Sequence, residues 1–225
     1  MTAGRARFGA VSIAWTDAAA SAPPPLVVLD RLGGAQLRRY DSLRGEAARR
    51  FLVGRSLLLC VVDELSDVTD LGFSTVCERC GADHGRPRFD GAPLAVSVSY
   101  AGSMVAVAAA SHVDAAAVGV DIEMIPTGGP AQRLRDLDPL FAPRIAPDTA
   151  GWTLIEAALK ADGRGLHVDL GEIELGANGT GMLPGSRAVR IPGRLDSVDA
   201  AVIGGPPGFV LSAAMVPAAG ERHPE

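Results

Sequence analysis

Between residues 93 and 110 the chain reads "PLAVSVSYAGSMVAVAAA", two stretches of strand-like alternation on either side of Ala101-Gly102. That pattern predicts a β-hairpin, because strand side chains alternate between faces and glycine supplies the turn. Shortly after it, "VGVDIEMIP" (118–126) starts as a third apolar strand and then sets Asp121 and Glu123 one residue apart. Positions i and i+2 of a strand point the same way, so both carboxylates share a face near the strand's end. Two like charges so placed repel unless something offsets them, and a metal, an arginine or water would each serve.

Helix and strand patterns accompany these strands on both sides. Residues 35–65 carry apolar positions at three- and four-residue steps (Leu37, Tyr40, Leu43, Ala47, Phe51, Leu58, Val62), which predicts helix, with Gly45 and Gly54 as places where it can break in two. "PPPLVVLDRLGG" (23–34) reads as a Pro-rich lead-in, a short strand and a turn, and 73–89 as a loop-rich segment around short strands. Further on, "QRLRDLDPLFAPRIA" reads as short helix and loop. Asp148 and Thr149 are candidate caps for a helix reaching Leu159 or beyond and ending near Gly163 or Gly165. "GEIEL", "RAVRIP" and "GFVLSAAMVP" are strand-like, and the C-terminal "AAGERHPE" looks frayed. The reading is an α+β protein of two halves of similar make-up, 1–112 and 113–225, divided near 111–117.

With 225 residues, 48% hydrophobic and 21% charged, the chain has the make-up of a soluble globular protein able to bury a core. Its longest apolar runs, such as "LLLCVV" and "MVAVAAA", are too short to span a membrane, and the N-terminal stretch lacks the apolar core of a secretory signal. Three cysteines cannot all pair within one chain, which suits a reducing cytoplasm. Aromatics at 4% and the lack of a basic run argue against a nucleic-acid partner. The net charge of −5 is unevenly spread. Residues 1–112 hold twelve arginines against eleven acids, and 113–225 hold fifteen acids against eight arginines and one lysine. The first half is equipped to meet anions and the second to hold cations.

That lysine is the only one in the chain. Lys160 lies in "GWTLIEAALKADGRGL", four residues after Glu156 and on the same face of the expected helix. A Glu–Lys pair at this spacing is often a mere surface pair worth a few tenths of a kcal/mol. Here the surrounding residues are Trp152, Leu154, Ile155, Ala157, Ala158 and Leu159, so the pair belongs in a buried or cleft-lining place. A helix packed beside the 118–123 strand would bring three carboxylates to one ammonium. Such a hard-oxygen set suits Mg²⁺ and a diphosphate substrate, with the lysine neutralising the phosphoryl group in flight.

"GVDIE" followed by "WTLIEAALKADGRGL" resembles the Sfp-type 4′-phosphopantetheinyl transferases, whose signature pairs G-x-D-x-E with W-x-x-K-E-A-x-x-K. "ARRFLVGRSLL" is similar to that family's N-terminal helix and "CGADHGRPRF" to its G-K-P loop, with Arg86 at the lysine position. "VSVSYAG" stands where the family usually has S-x-S-H. The resemblance covers about residues 38–166. It implies a pseudo-twofold arrangement of two α+β halves with the active site between them. It further implies transfer of the phosphopantetheine arm of coenzyme A to a serine of an acyl or peptidyl carrier protein, releasing 3′,5′-ADP, by a chain working as a monomer. Asp121, Glu123 and Glu156 would bind Mg²⁺ (or Mn²⁺), and Glu156 and Lys160 would be catalytic. Arg50, Arg86, Lys160 and also Arg38 would hold the coenzyme A phosphates, with Ser99 and Tyr100 lining the nucleotide pocket. Asp121→Ala should then abolish transfer with little loss of fold.

Two positions depart from the pattern. Tyr100 replaces a histidine that contacts the 3′-phosphate in the family, and a phenol is uncharged near neutral pH. Ile155 replaces the basic residue before Glu156. On these two rests the alternative of a non-catalytic relative that binds coenzyme A or a carrier protein; a phosphotransferase using another nucleotide is a further reading. "CERCGADH" offers Cys77, Cys80 and His84 to a metal, but no fourth ligand motif follows, and a reduced loop is the simpler reading. Cys60 is expected in the core, and His112, His167 and His223 have no partner motif.

Overall fold

A computed structural model describes residues 3–218 except 69, 70, 84, 130 and 133. His84 and His223 therefore lie outside the described residues, as does most of the C-terminal tail. The chain forms two antiparallel sheets, each covered by one long helix, so it is an α+β protein.

The first sheet contains β1 (Gly4–Phe8), β2 (Val11–Asp17), β3 (Phe73–Ser74), β4 (Arg88–Phe89), β5 (Leu94–Ala101) and β6 (Met104–Ser111), in the order β1-β2-β6-β5-β4-β3. β5 and β6 are the expected hairpin, closing with Ala101 opposite Met104 around Gly102 at φ 54°. The second sheet contains β7 (Ala115–Met124), β8 (Glu174–Leu175), β9 (Arg187–Arg190), β10 (Val198–Ile203) and β11 (Phe209–Pro217), in the order β7-β11-β10-β9-β8. The change of sheet falls between Ser111 and Ala115.

Helices α1 (Val27–Asp30), α2 (Gly34–Asp41) and α3 (Gly45–Val62) separate β2 from β3, and α4 (Asp138–Phe141) and α5 (Thr149–Asp162) separate β7 from β8. The helical pattern over 35–65 breaks at Gly45, whose φ of 54° suits glycine, and continues through Gly54. The strand expected after the prolines is instead the single-turn α1. Its Leu26 and Val27 are exposed and only Leu29 is buried, so no strand neighbour is at hand to complete a ladder. α5 begins where the caps predict: Asp148 accepts a hydrogen bond from the Gly151 N–H at 2.8 Å. It ends at Gly163, left-handed at φ 91°. Cys60 departs from expectation. It lies on the exposed side of α3, while Leu57, Leu58, Val61 and Val62 face the sheet.

Alternation along the strands builds three apolar layers. On β6, Val105, Val107 and Ala109 pack under α3, and Ala106, Ala108 and Ala110 face the second sheet. On β7, Val118, Val120 and Ile122 meet the first sheet, while Ala117 joins the core beneath α5. Each fully buried Leu, Ile or Val contributes about 1.5–3 kcal/mol. No helix among the described residues is long and apolar enough to cross a membrane.

Candidate functional site

Gly119 decides how closely α5 approaches β7. A β-carbon there would lie 1.8 Å from the Ala157 carbonyl oxygen, so only glycine lets the helix backbone rest on the strand. Asp121 and Glu123 follow on the same face as Gly119 and therefore look toward the helix. Glu156 and Lys160 come to them from α5, one turn apart.

Lys160 Nζ donates to Asp121 Oδ1 at 2.6 Å and to Ser99 Oγ at 2.9 Å, and stands 3.7 Å from Glu156 Oε2. Ser99, on β5, donates its hydroxyl to Asp121 Oδ1 at 2.8 Å and accepts from the Ile122 N–H at 3.4 Å. One donor and two acceptor positions are thus all used, so the hydroxyl is fixed in orientation. Ser97, two residues earlier, accepts from the Val120 N–H at 3.1 Å. β7 is the edge of its sheet, and these two serines satisfy two of its outward N–H groups from the other sheet.

Asp121 is buried within β7, which runs on to Met124, and not at a strand end as its sequence context suggested. Its Oδ1 takes both hydrogen bonds, while Oδ2 is buried with no hydrogen-bond partner. Such an atom is costly unless a cation meets it. Burial, then the charge of Asp121, pushes the pKa of both Glu123 and Glu156 above the ordinary value, although Lys160 pulls both back. The donor type and the unpartnered Oδ2 fit a hard divalent cation. Among the described residues no group of three or more His, Cys, Asp or Glu side chains is gathered closely enough to hold a metal unaided.

Lys160 also borders a cavity of about 670 Å³ that takes walls from both sheets' segments. Its cationic lining comprises Arg39, Arg55 and Arg86 from the first half and Lys160 and Arg164 from the second, with His167 beside them and Asp83 opposing. Tyr100 lines it as well; Asp121, Glu123 and Glu156 do not. Arg86 is half-buried, and burial, followed by the charge of Arg88, lowers its pKa. Arg38 is exposed and outside the lining, and Arg50 donates to the Gly102 carbonyl with its guanidinium 5.7 Å from the Tyr100 ring centre. Ile155 is buried in the core beneath α5. Cys77 borders the cavity and Cys80 is exposed.

Sequence reading passed over Arg55 and gave His167 no role. Arg55 is 7% exposed, donates from Nε to Gln36 Oε1 at 2.8 Å and from Nη1 to the Tyr100 hydroxyl at 3.3 Å. The signal available was an arginine amid the apolar positions of "FLVGRSLLL". No protein-family model matches the chain, and no curated protein is significantly similar to it.

Proposed function

We propose that the chain is an Sfp-type 4′-phosphopantetheinyl transferase, moving the phosphopantetheine arm of coenzyme A to a carrier-protein serine. The observation that carries the reading is the Ser99–Lys160–Asp121 cluster, with Asp121 Oδ2 buried and unpartnered, at the border of a cation-lined cavity. The two sheets, each with one covering helix, support the pseudo-twofold arrangement expected of that family. A cavity of this size suits a nucleotide-bearing substrate.

In this reading Asp121 Oδ2, Glu123 and Glu156 would hold Mg²⁺, or Mn²⁺. The ion supplies charge neutralisation to the diphosphate when bound. Lys160 is held by Asp121 and Ser99, and its third N–H, which faces Glu156 Oε2 at 3.7 Å, would turn to a phosphate oxygen. It offsets charge on the phosphoryl group and on the leaving oxygen. The carrier serine oxygen attacks the phosphorus bearing the pantetheine arm. A new P–O bond forms there, and the P–O bond to the bridging oxygen breaks, its electron pair remaining on 3′,5′-ADP. The serine proton passes to Glu156, directly or through one water. Arg86 and the other cavity cations take the nucleotide phosphates, with Arg50 behind the Tyr100 ring and Arg38 at the exposed rim of α2.

A cytoplasmic monomer serving fatty-acid, polyketide or peptide synthesis accords with this chemistry. The non-catalytic alternative keeps Tyr100 as its support; Ile155 weakens it, because that side chain belongs to the core and not to the site. The test is the intact mass of an apo carrier protein after incubation with the protein, coenzyme A and Mg²⁺, with and without chelator. A metal-dependent gain of one phosphopantetheine arm is expected. No gain on any of the three carrier classes, despite coenzyme A binding, would establish the non-catalytic reading, and tight binding of another diphosphate in its place would establish a different nucleotide substrate.

A further inference from the structure

Two of the cations around the cavity are paired with carboxylates. Lys160 has Asp121, and Arg164 donates to Asp162 from both Nε and Nη2. Arg55 differs. It is buried, yet among the described residues no carboxylate pairs with it. Its guanidinium is sandwiched between the Phe51 and Phe73 rings, 4.4 and 4.9 Å from their centres, and steered by Gln36, itself 1% exposed. A guanidinium carries five N–H groups, of which Gln36 and Tyr100 take two. The others have no partner among the described residues, and none of its atoms is a fully buried orphan, so they reach the cavity Arg55 lines. A desolvated cation held in one orientation without a counter-charge is a prepared anion site.

Tyr100 completes it. The phenol oxygen accepts from Arg55 Nη1, which leaves its own O–H proton to donate. Gly54 makes this possible, since a β-carbon there would lie 2.7 Å from that oxygen. We infer that Arg55 and Tyr100 together form a recognition site for a phosphomonoester dianion and select substrates that carry one at the nucleotide end. This rests on the transferase reading, where the phosphomonoester is the 3′-phosphate of coenzyme A. The charge absent from the Tyr100 side chain is supplied by Arg55, behind it on α3.

Calorimetric titration with coenzyme A, 3′-dephospho-coenzyme A and 3′,5′-ADP tests this on the wild type, Arg55→Gln, Arg55→Lys and Tyr100→Phe. The wild type should prefer coenzyme A over its dephospho form by about tenfold to a hundredfold, and Arg55→Gln should bring that ratio close to one. Arg55→Lys, keeping charge without the fork, should retain part of the preference. Tyr100→Phe, which keeps the ring, should reduce it by a few fold, and stands as the test should Arg55→Gln not fold. Unchanged ratios in Tyr100→Phe and in folded Arg55 variants would overturn the inference and leave the transferase reading intact. Binding of 3′,5′-ADP that needs Arg55, with no binding of coenzyme A, would uphold the anion site and overturn the transferase reading. No binding of any of the three by the wild type would overturn both.

Discussion

Asp121 divides its two oxygens between two tasks. One fixes the lysine and the serine; the other is bare and buried. Asp121→Asn should therefore do more than stop the proposed transfer. It leaves the Lys160 ammonium without its close carboxylate, and since Lys160 is only partly exposed, chemical denaturation should show a loss of about 2–3 kcal/mol. The residue-by-residue spacing made the acids and the lysine legible, because i,i+2 on a strand and i,i+4 on a helix are properties of the backbone alone. Asp121's burial and its bond to Ser99 were not legible, since they exist only where two sheets meet. A second carboxylate permits a sharper pH test. Burial works to raise the pKa of Asp162, but hydrogen bonds from Arg164 and Arg194 outweigh it and hold it below the ordinary 3.8. The stabilisation is thus present above that value and lost as pH falls through the lower, folded one. Thermal melts between pH 5 and pH 2 should show wild type losing about 1 kcal/mol that Asp162→Asn never had, the arginines being partly solvated.

At the scale of elements, the site depends on the α5–β7 contact more than on any acid. Gly119→Ala puts a methyl into the Ala157 carbonyl and has to lift the helix from the strand. A loss of about 3 kcal/mol is expected in denaturant titration, with transfer falling because Lys160 withdraws from Asp121. An unchanged midpoint would mean the helix can ride outward at no cost. The β5–β6 hairpin, β7 and α5 were readable because each carries its own periodicity and its own turn or cap. The β1–β2 hairpin and β10 were not. In β1 the exposed Arg5 and Arg7 interrupt the apolar signal, and β10 is the short "VDAAVI" following a loop. α1 was misread as strand because three apolar residues after prolines carry no period, and only the lack of a neighbouring strand decides.

Across the whole molecule, the charge asymmetry of the sequence becomes a cavity whose first-half wall is arginine and whose second-half wall includes the lone lysine. A ligand that touches both walls ties the two sheets' segments together, so it should protect the molecule globally. On the transferase reading, coenzyme A with Mg²⁺ at a hundred times its dissociation constant should stabilise the wild type by about 2.7 kcal/mol, seen as a raised melting temperature. Asp121→Asn should gain less from Mg²⁺ addition, and equal gains would place the ion elsewhere. The meeting of the sheets has one more consequence. Ser97 and Ser99 tie the rim of β7 with hydroxyls instead of a backbone ladder. A ladder joins only strands that lie in one sheet, whereas a hydroxyl satisfies a strand's outward N–H from a neighbouring one. Loss of either oxygen would therefore strand a β7 amide with no neighbouring strand to take its place.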